Sequence, residues 1–453
     1  MVNNIKIAGD FYHSNGTSEG RMLIRKFKDH LDIHWEKDCM LLLGIVTFLY
    51  AMLMPDSKDV ITNYQKLLLH QTYLIHDFFE VAGISATFVN VALHFLVAYY
   101  LNVRNNLTHL TGFQLAATGI FIGHSFFGTH LLNIVPIIAG VVLYAHWAGH
   151  SFKLYTSQSL FATSTAPLVS YLLFSNGVSL QSILLALGVG LLLGFITPPL
   201  AEAFLKFHQG YTLYNTGFTT GIIVMIVYAC LRYFGYEVDD ISMISRHAHW
   251  YILVYIGVMS LSFIVLSLLG ADLSEIRQKF AKLDKRVGRL PDDFVMKYGR
   301  RTTFLNMGLM GITYLLFVIT LGMPLNGPIA GGLVSIIGFS AFGKHLRNTL
   351  PVAVGVILAG YFSLGRLDDL TVILPLLFGT ALAPIAGYYG IIMGMLAGFL
   401  QFNLTQSVIK LHLGLSLYNN GFSTGFVAAF MVPVLESIKD QWSAKNKRSE
   451  IKK

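Results

Sequence analysis

His208-Gln-Gly-Tyr-Thr-Leu-Tyr-Asn-Thr-Gly-Phe-Thr-Thr-Gly221 occurs twice in this chain of 453 residues, the second time as His412-Leu-Gly-Leu-Ser-Leu-Tyr-Asn-Asn-Gly-Phe-Ser-Thr-Gly425. Nine of the fourteen positions are identical, in the pattern H-x-G-x-x-L-Y-N-x-G-F-x-T-G. Both copies open long apolar segments. A polar, glycine-bearing motif at the mouth of a membrane helix, present once in each half, points to a transport site.

The composition sets the class. The chain is 54% hydrophobic and 12% charged, with mean hydropathy +0.60. That is a multi-pass membrane protein and excludes an ordinary soluble enzyme. The net charge of +8 does not point to nucleic acid, because the basic residues flank apolar spans, where they set topology and meet anionic headgroups. Cys39 and Cys230 lie in or at apolar spans and form neither a disulfide framework nor a metal site. No cleavable signal peptide is expected, so the first span doubles as the insertion signal.

Apolar spans read at about 39–54, 84–103, 108–127, 131–148, 159–175, 179–197, 211–233 and 249–269, and, after a hydrophilic loop at 270–301, at about 302–322, 327–342, 349–364, 370–385, 388–404 and 415–435. The loop at 55–83 is mostly acidic, and its Tyr64 to Phe79 stretch has the apolar spacing of a helix lying on the membrane surface. Basic residues gather in the N-terminal arm, the 270–301 loop and the tail, so all three are expected in the cytoplasm. Even numbers of spans between them allow this.

The duplication extends beyond the opening motif. His34-Trp35 recurs as His249-Trp250. Phe127-Gly128-Thr-His130-Leu131-x-Asn133-x-x-Pro136-x-x-x-Gly140-Val141 recurs as Phe342-Gly343-Lys-His345-Leu346-x-Asn348-x-x-Pro351-x-x-x-Gly355-Val356. Thr163-x-x-Ala166-Pro167 recurs as Thr380-x-x-Ala383-Pro384, and Gly190-x-x-x-Gly194-Phe195 as Gly394-x-x-x-Gly398-Phe399. The order is kept throughout, which marks an internal duplication. Seven spans per copy is an odd number, so the second copy is expected to be inverted in the membrane. The expected fold is an all-α polytopic membrane protein of about 14 helices in two inverted seven-helix repeats, some of them broken or re-entrant. Its parts are an arm at 1–33, repeats at 34–236 and 249–436, and a basic tail at 437–453.

The repeated polar residues are the candidate substrate contacts. Tyr214, Asn215, Gly217 and Thr220, with Tyr418, Asn419, Gly421 and Thr424, would line a site where broken helices free backbone donors and acceptors. His208 and His412 lead the two motifs and read equally as interface anchors. His130 and Asn133, with His345 and Asn348, sit at span junctions. Asn215 and Asn419 are the strongest candidates, since an asparagine with apolar flanks must find a partner. Lys344 and Arg347 read as cytoplasmic topology charges, because the first copy has Thr129 and Leu132 instead. His146 and His150 have the spacing of a metal pair but lack the glutamate of H-E-x-x-H, so no metal is expected. No Walker loop, nucleophile elbow or dinucleotide fingerprint is present, and no cofactor is expected.

The paired L-Y-N-x-G-F-x-T-G and F-G-x-H-x-x-N-x-x-P motifs resemble those of an uncharacterised bacterial family of multi-pass membrane proteins, known only as a domain of unknown function. The resemblance covers most of the chain and implies no substrate. In architecture alone the chain is similar to the seven-plus-seven inverted-repeat carriers of nucleobases, sulfate and bicarbonate, in which two half-helices meet at mid-membrane around the substrate. None of their sequence signatures is found here.

The expected function is a membrane transporter or channel for a small polar or anionic solute, not an enzyme, in the bacterial inner membrane with both termini cytoplasmic. Its partners would be that solute and the bilayer, with homo-oligomerisation open and no nucleic acid. The alternatives are an integral membrane enzyme acting on a lipid-linked substrate, and a structural or signalling membrane protein.

Overall fold

A computed structural model describes residues 39–72, 75–104, 110–238 and 242–451. The N-terminal arm with His34-Trp35 lies outside them, as do Lys452 and Lys453. The first half contains α1 (Cys39–Met52), α2 (Val60–Leu68), α3 (Phe78–Arg104), α4 (Gly112–His124), α5 (Leu131–Trp147), α6 (Thr156–Ala162), α7 (Ala166–Phe174), α8 (Leu180–His208) and α9 (Asn215–Tyr233). The second contains α10 (His249–Leu268), α11 (Leu273–Leu283), α12 (Phe294–Tyr298), α13 (Arg300–Thr320), α14 (Gly327–Phe339), α15 (Leu346–Leu364), α16 (Leu370–Phe378), α17 (Ala383–Tyr389), α18 (Ile391–Val408) and α19 (Asn419–Ile451). Among the described residues there is no β-strand, only two isolated bridges.

Nine helical segments among the described residues are long and apolar enough to cross a bilayer, or ten if the bent pair α1 and α2 counts as one. Their outward faces carry Leu184, Leu187, Leu192, Val254, Val258 and Leu261, all exposed. In water such a surface would be a severe liability; in a bilayer it meets lipid chains. The chain is a multi-pass membrane protein.

Several expected spans are shaped differently. Helices α4 and α14 are thirteen residues each, about 20 Å long, which is short of the roughly 30 Å hydrocarbon core. All thirteen residues of α14 are buried, so its unpaired terminal groups meet protein rather than lipid. The spans expected at 159–175 and 370–385 are each broken by a 3₁₀ turn, at Thr163–Thr165 and Gly379–Leu382. Helix α8 runs to His208, well past the expected end at 197. The surface helix expected over Tyr64 to Phe79 is confined to Val60–Leu68; Phe78 and Phe79 open α3 and are buried. Within the long hydrophilic loop, α11 and α12 form.

The two halves use the same local contacts. The Asn90 side chain donates to the carbonyls of Ser125 and Thr129, and Asn306 donates to those of Ser340 and Lys344. The Thr129 amide donates to the His124 carbonyl at 3.2 Å, and that of Lys344 to Phe339 at 3.3 Å. Both halves close-pack two helices through repeated glycines. A Cβ on Gly140 would stand 2.2 Å from the Leu191 carbonyl oxygen, and one on Gly355 only 1.9 Å from that of Met395. Gly194 and Gly398 meet the carbonyls of Ile137 and Val352 in the same way, at 2.0 Å each. The repeated small residues therefore join α5 to α8 and α15 to α18 backbone to backbone.

Other contacts cross between the halves. Asp77 accepts the Gly327 amide at the start of α14, and Asp293 accepts the Gly112 amide at the start of α4. Each carboxylate satisfies an orphan N–H and faces the positive end of the other half's short helix. Helices α4 and α14 then pass at Gly119 and Gly338, where a Cβ on Gly119 would lie 2.6 Å from the Gly338 Cα.

Candidate functional site

Each opening motif is an interruption between two helices. After α8, Gln209 and Gly210 take positive φ values of 53° and 76°; after α18, Leu413 and Gly414 take 43° and 77°. Left-handed backbone at a helix end reverses the chain, and glycine adopts it without a Cβ clash. The His208 Nδ1 accepts the Gly210 amide at 3.3 Å, and the His412 Nδ1 accepts that of Gly414 at 3.2 Å. Both histidines are completely buried, so they are not interface anchors but internal braces of the reversal.

The asparagines restart the helices. Asn215 opens α9; its amide donates to the Ala201 carbonyl at 2.9 Å, and its Oδ1 lies 2.9 Å from the His208 Nε2. Asn419 opens α19 and donates to the Thr405 carbonyl at 3.3 Å. Asn215 is thus engaged on both sides by the turn it closes.

The two interruptions meet. The Tyr214 and Tyr418 ring centroids are 5.9 Å apart. Gly217 packs under the Tyr418 ring, and Gly421 lies against the Gly217 backbone. Gly221 faces Phe422 and Gly425 faces Phe218. The motif glycines therefore let α9 and α19 touch at their first turns. The Thr212 hydroxyl donates to that of Thr424 at 3.1 Å, and Ser164 donates to Thr220 at 3.2 Å. The broken helices close the network crosswise. The Leu213 amide donates to the Ala381 carbonyl at 2.9 Å, and the Leu417 amide to that of Ser164 at 3.0 Å. Main-chain groups freed by a break thus find partners in the opposite half.

Lys344 enters this meeting point. It is fully buried. Its Nζ donates to the Tyr214 hydroxyl at 2.9 Å and to the Thr380 hydroxyl at 2.8 Å, and sits 4.6 Å from the Tyr214 ring centre. Among the described residues no carboxylate forms an ion pair with it. The expectation of a cytoplasmic topology charge is corrected: the turn carrying Lys344 folds inward between the halves. The signal was available, since the first copy has Thr129 at this place, but the positive-inside rule reads linear flanks and not folded-in turns.

A cleft of about 580 Å³ reaches the same point, lined by Tyr214, Asn215, Thr216 and Gly217 together with Phe113 and Phe161. His130, Asn133, His345 and Asn348 lie elsewhere, at the corners before α5 and α15. Asn133 accepts the His130 amide and donates to the Gly128 carbonyl; Asn348 accepts the His345 amide and donates to that of Gly343. These are reciprocal helix caps. His345 also carries the long loop: its Nε2 lies 2.9 Å from the Arg286 carbonyl oxygen, and its ring stands 3.5 Å from Asp284, drawing that carboxyl below the usual range.

Sequence reasoning missed Asp77, Asp293 and His124. The two aspartates share an Asp-Phe pair, Asp77-Phe78 and Asp293-Phe294, followed by Gly83 and Gly299 and by Asn90 and Asn306. That spacing could have revealed them. A family model described as "Protein of unknown function (DUF1576)" matches residues 56–233 and 273–437. The chain belongs to the DUF1576 family. The two matched stretches cover α2 to α9 and α11 to the membrane part of α19. No curated protein and no solved structure matches the chain.

Proposed function

We propose that this protein is a transporter for a small anionic or polar solute, bound where the two Leu-Tyr-Asn turns meet. One observation carries the reading: the buried Lys344 ammonium, without a carboxylate partner among the described residues, stands beside the first turns of α9 and α19. An ammonium held out of water is costly unless a counter-charge relieves it. Two helix N-termini add positive potential at the same place, so the missing partner is an anion. The open cleft gives it a path to Tyr214.

In this reading the chain has fourteen helical segments in two inverted seven-helix repeats, some of them half-spans, in a bacterial inner membrane with both termini cytoplasmic. The halves rock about the Tyr214–Tyr418 contact and expose the solute to alternate faces. The reading is tested by uptake of a panel of small carboxylates and inorganic oxyanions into proteoliposomes. At least one should accumulate well above protein-free vesicles; an inert panel, with neutral polar solutes equally inert, ends the transport reading.

The inverted arrangement has its own check. In a Cys39→Ser, Cys230→Ser background, Asp59→Cys and Ser274→Cys should react with an impermeant maleimide from opposite faces. Labelling of both from one face rejects the inversion.

A further inference from the structure

The halves differ at the place Lys344 occupies in the meeting site. Lys344 corresponds to Thr129: both amides donate to the residue five positions earlier, and both carbonyls accept from the matching asparagine. Thr380 corresponds to Thr163; each hydroxyl donates to the carbonyl three residues back, at 2.6 and 2.7 Å. Tyr214 corresponds to Tyr418. Phe339, edge-on to Tyr214 at 4.7 Å, corresponds to His124, edge-on to Tyr418 at 5.0 Å. At Lys344 an ammonium donates to the hydroxyls of Tyr214, from the first half, and Thr380, from the second. At the corresponding place the hydroxyls of Tyr418, from the second half, and Thr163, from the first, are present, but the threonine side chain at position 129 stops several bonds short of them.

The groups around Thr129 are left unpaired. Among the described residues, the Tyr418 hydroxyl, the Thr129 hydroxyl and both ring nitrogens of His124 are buried without a hydrogen-bond partner. All three side chains are at most 2% exposed. Unsatisfied buried polar atoms are rare and costly, and so many around one place mark a bound species. Oxygen lone pairs on Tyr418 and Thr163, with an imidazole nitrogen that can accept, form an acceptor set.

We infer that the chain binds a free monovalent cation, ammonium or an alkali ion, between Tyr418, Thr163, Thr129 and His124, at the counterpart of the place filled by the tethered ammonium of Lys344. This rests on the correspondence of the halves and not on translocation, so it can fail or hold independently of the uptake assay.

The test is thermal unfolding of the detergent-solubilised full chain at constant ionic strength, in ammonium, potassium, sodium or N-methyl-D-glucamine chloride. At least one small cation should raise the midpoint by about 3 °C at a concentration about 100-fold above its Kd. Thr129→Lys should reach that higher midpoint in N-methyl-D-glucamine alone and gain nothing from added cation. If Thr129→Lys does not accumulate, Tyr418→Phe, which keeps the ring and deletes one ligand, should weaken the cation's apparent affinity at least tenfold. Equal midpoints in all four salts overturn the inference. So does a Thr129→Lys protein that keeps the full cation shift, or a Tyr418→Phe protein with unchanged affinity.

Discussion

Lys344→Met should reduce anion uptake by about 100-fold while the protein still folds. A charge-assisted hydrogen bond is worth about 1.5–3 kcal/mol, and tenfold in rate or affinity is about 1.4 kcal/mol. Losing the Lys344 cation therefore removes about two decades. Stability should move far less. Methionine fills a similar volume without a charge, and uncharged replacements of buried ions are often neutral. Both hydroxyls lose the Lys344 donor, but Thr380 keeps its own bond to the Leu377 carbonyl, so only the Tyr214 hydroxyl loses the one partner described for it. The variant should unfold within a few degrees of wild type. Uptake at the wild-type rate would mean that Lys344 does not face the solute.

The largest structural effect is expected at Gly355. A Cβ there would stand 1.9 Å from the Met395 carbonyl oxygen. A main-chain atom within a helix cannot step aside as a side chain can, so α15 and α18 must part. Separating them opens a gap along the helix pair, and core voids of side-chain size cost about 2–5 kcal/mol. Gly355→Ala should lower the unfolding midpoint by several degrees, and Gly355→Leu should leave no monodisperse protein on size-exclusion chromatography. Gly188 is the control, because a Cβ there meets nothing within 4 Å. Gly188→Ala should unfold as wild type does. Equal behaviour of the two alanine variants would show that the close approach is not required.

The helix-packing glycines were legible in the sequence. Gly140, Gly194, Gly355 and Gly398 recur at matching places because the same close approach is built twice. The asparagines were legible as residues needing partners, and Asn215 finds one back along the chain, at the Ala201 carbonyl. The histidines illustrate what hydropathy cannot supply. His208 follows Lys206 and Phe207 at the end of an apolar run, which is the pattern of an interface anchor. Its burial depends on the chain turning back at Gln209 and Gly210 against the other half. The short helices α4 and α14 were hidden for a related reason: apolar residues continue past their ends at Phe126-Phe127 and Ala341-Phe342, and only the turn reveals the true length.

The exchanged aspartates bear on how the protein is made. The Gly112 amide has no carboxylate until Asp293 has been synthesised, 181 residues later. Asp77 waits longer still for Gly327, across 250 residues. During translation the first half must therefore remain in the membrane with the Gly112 amide, and one of the bonds Asp77 will accept, still unmade. Neither half is a finished unit when it leaves the ribosome, and the last step of assembly is a mutual one.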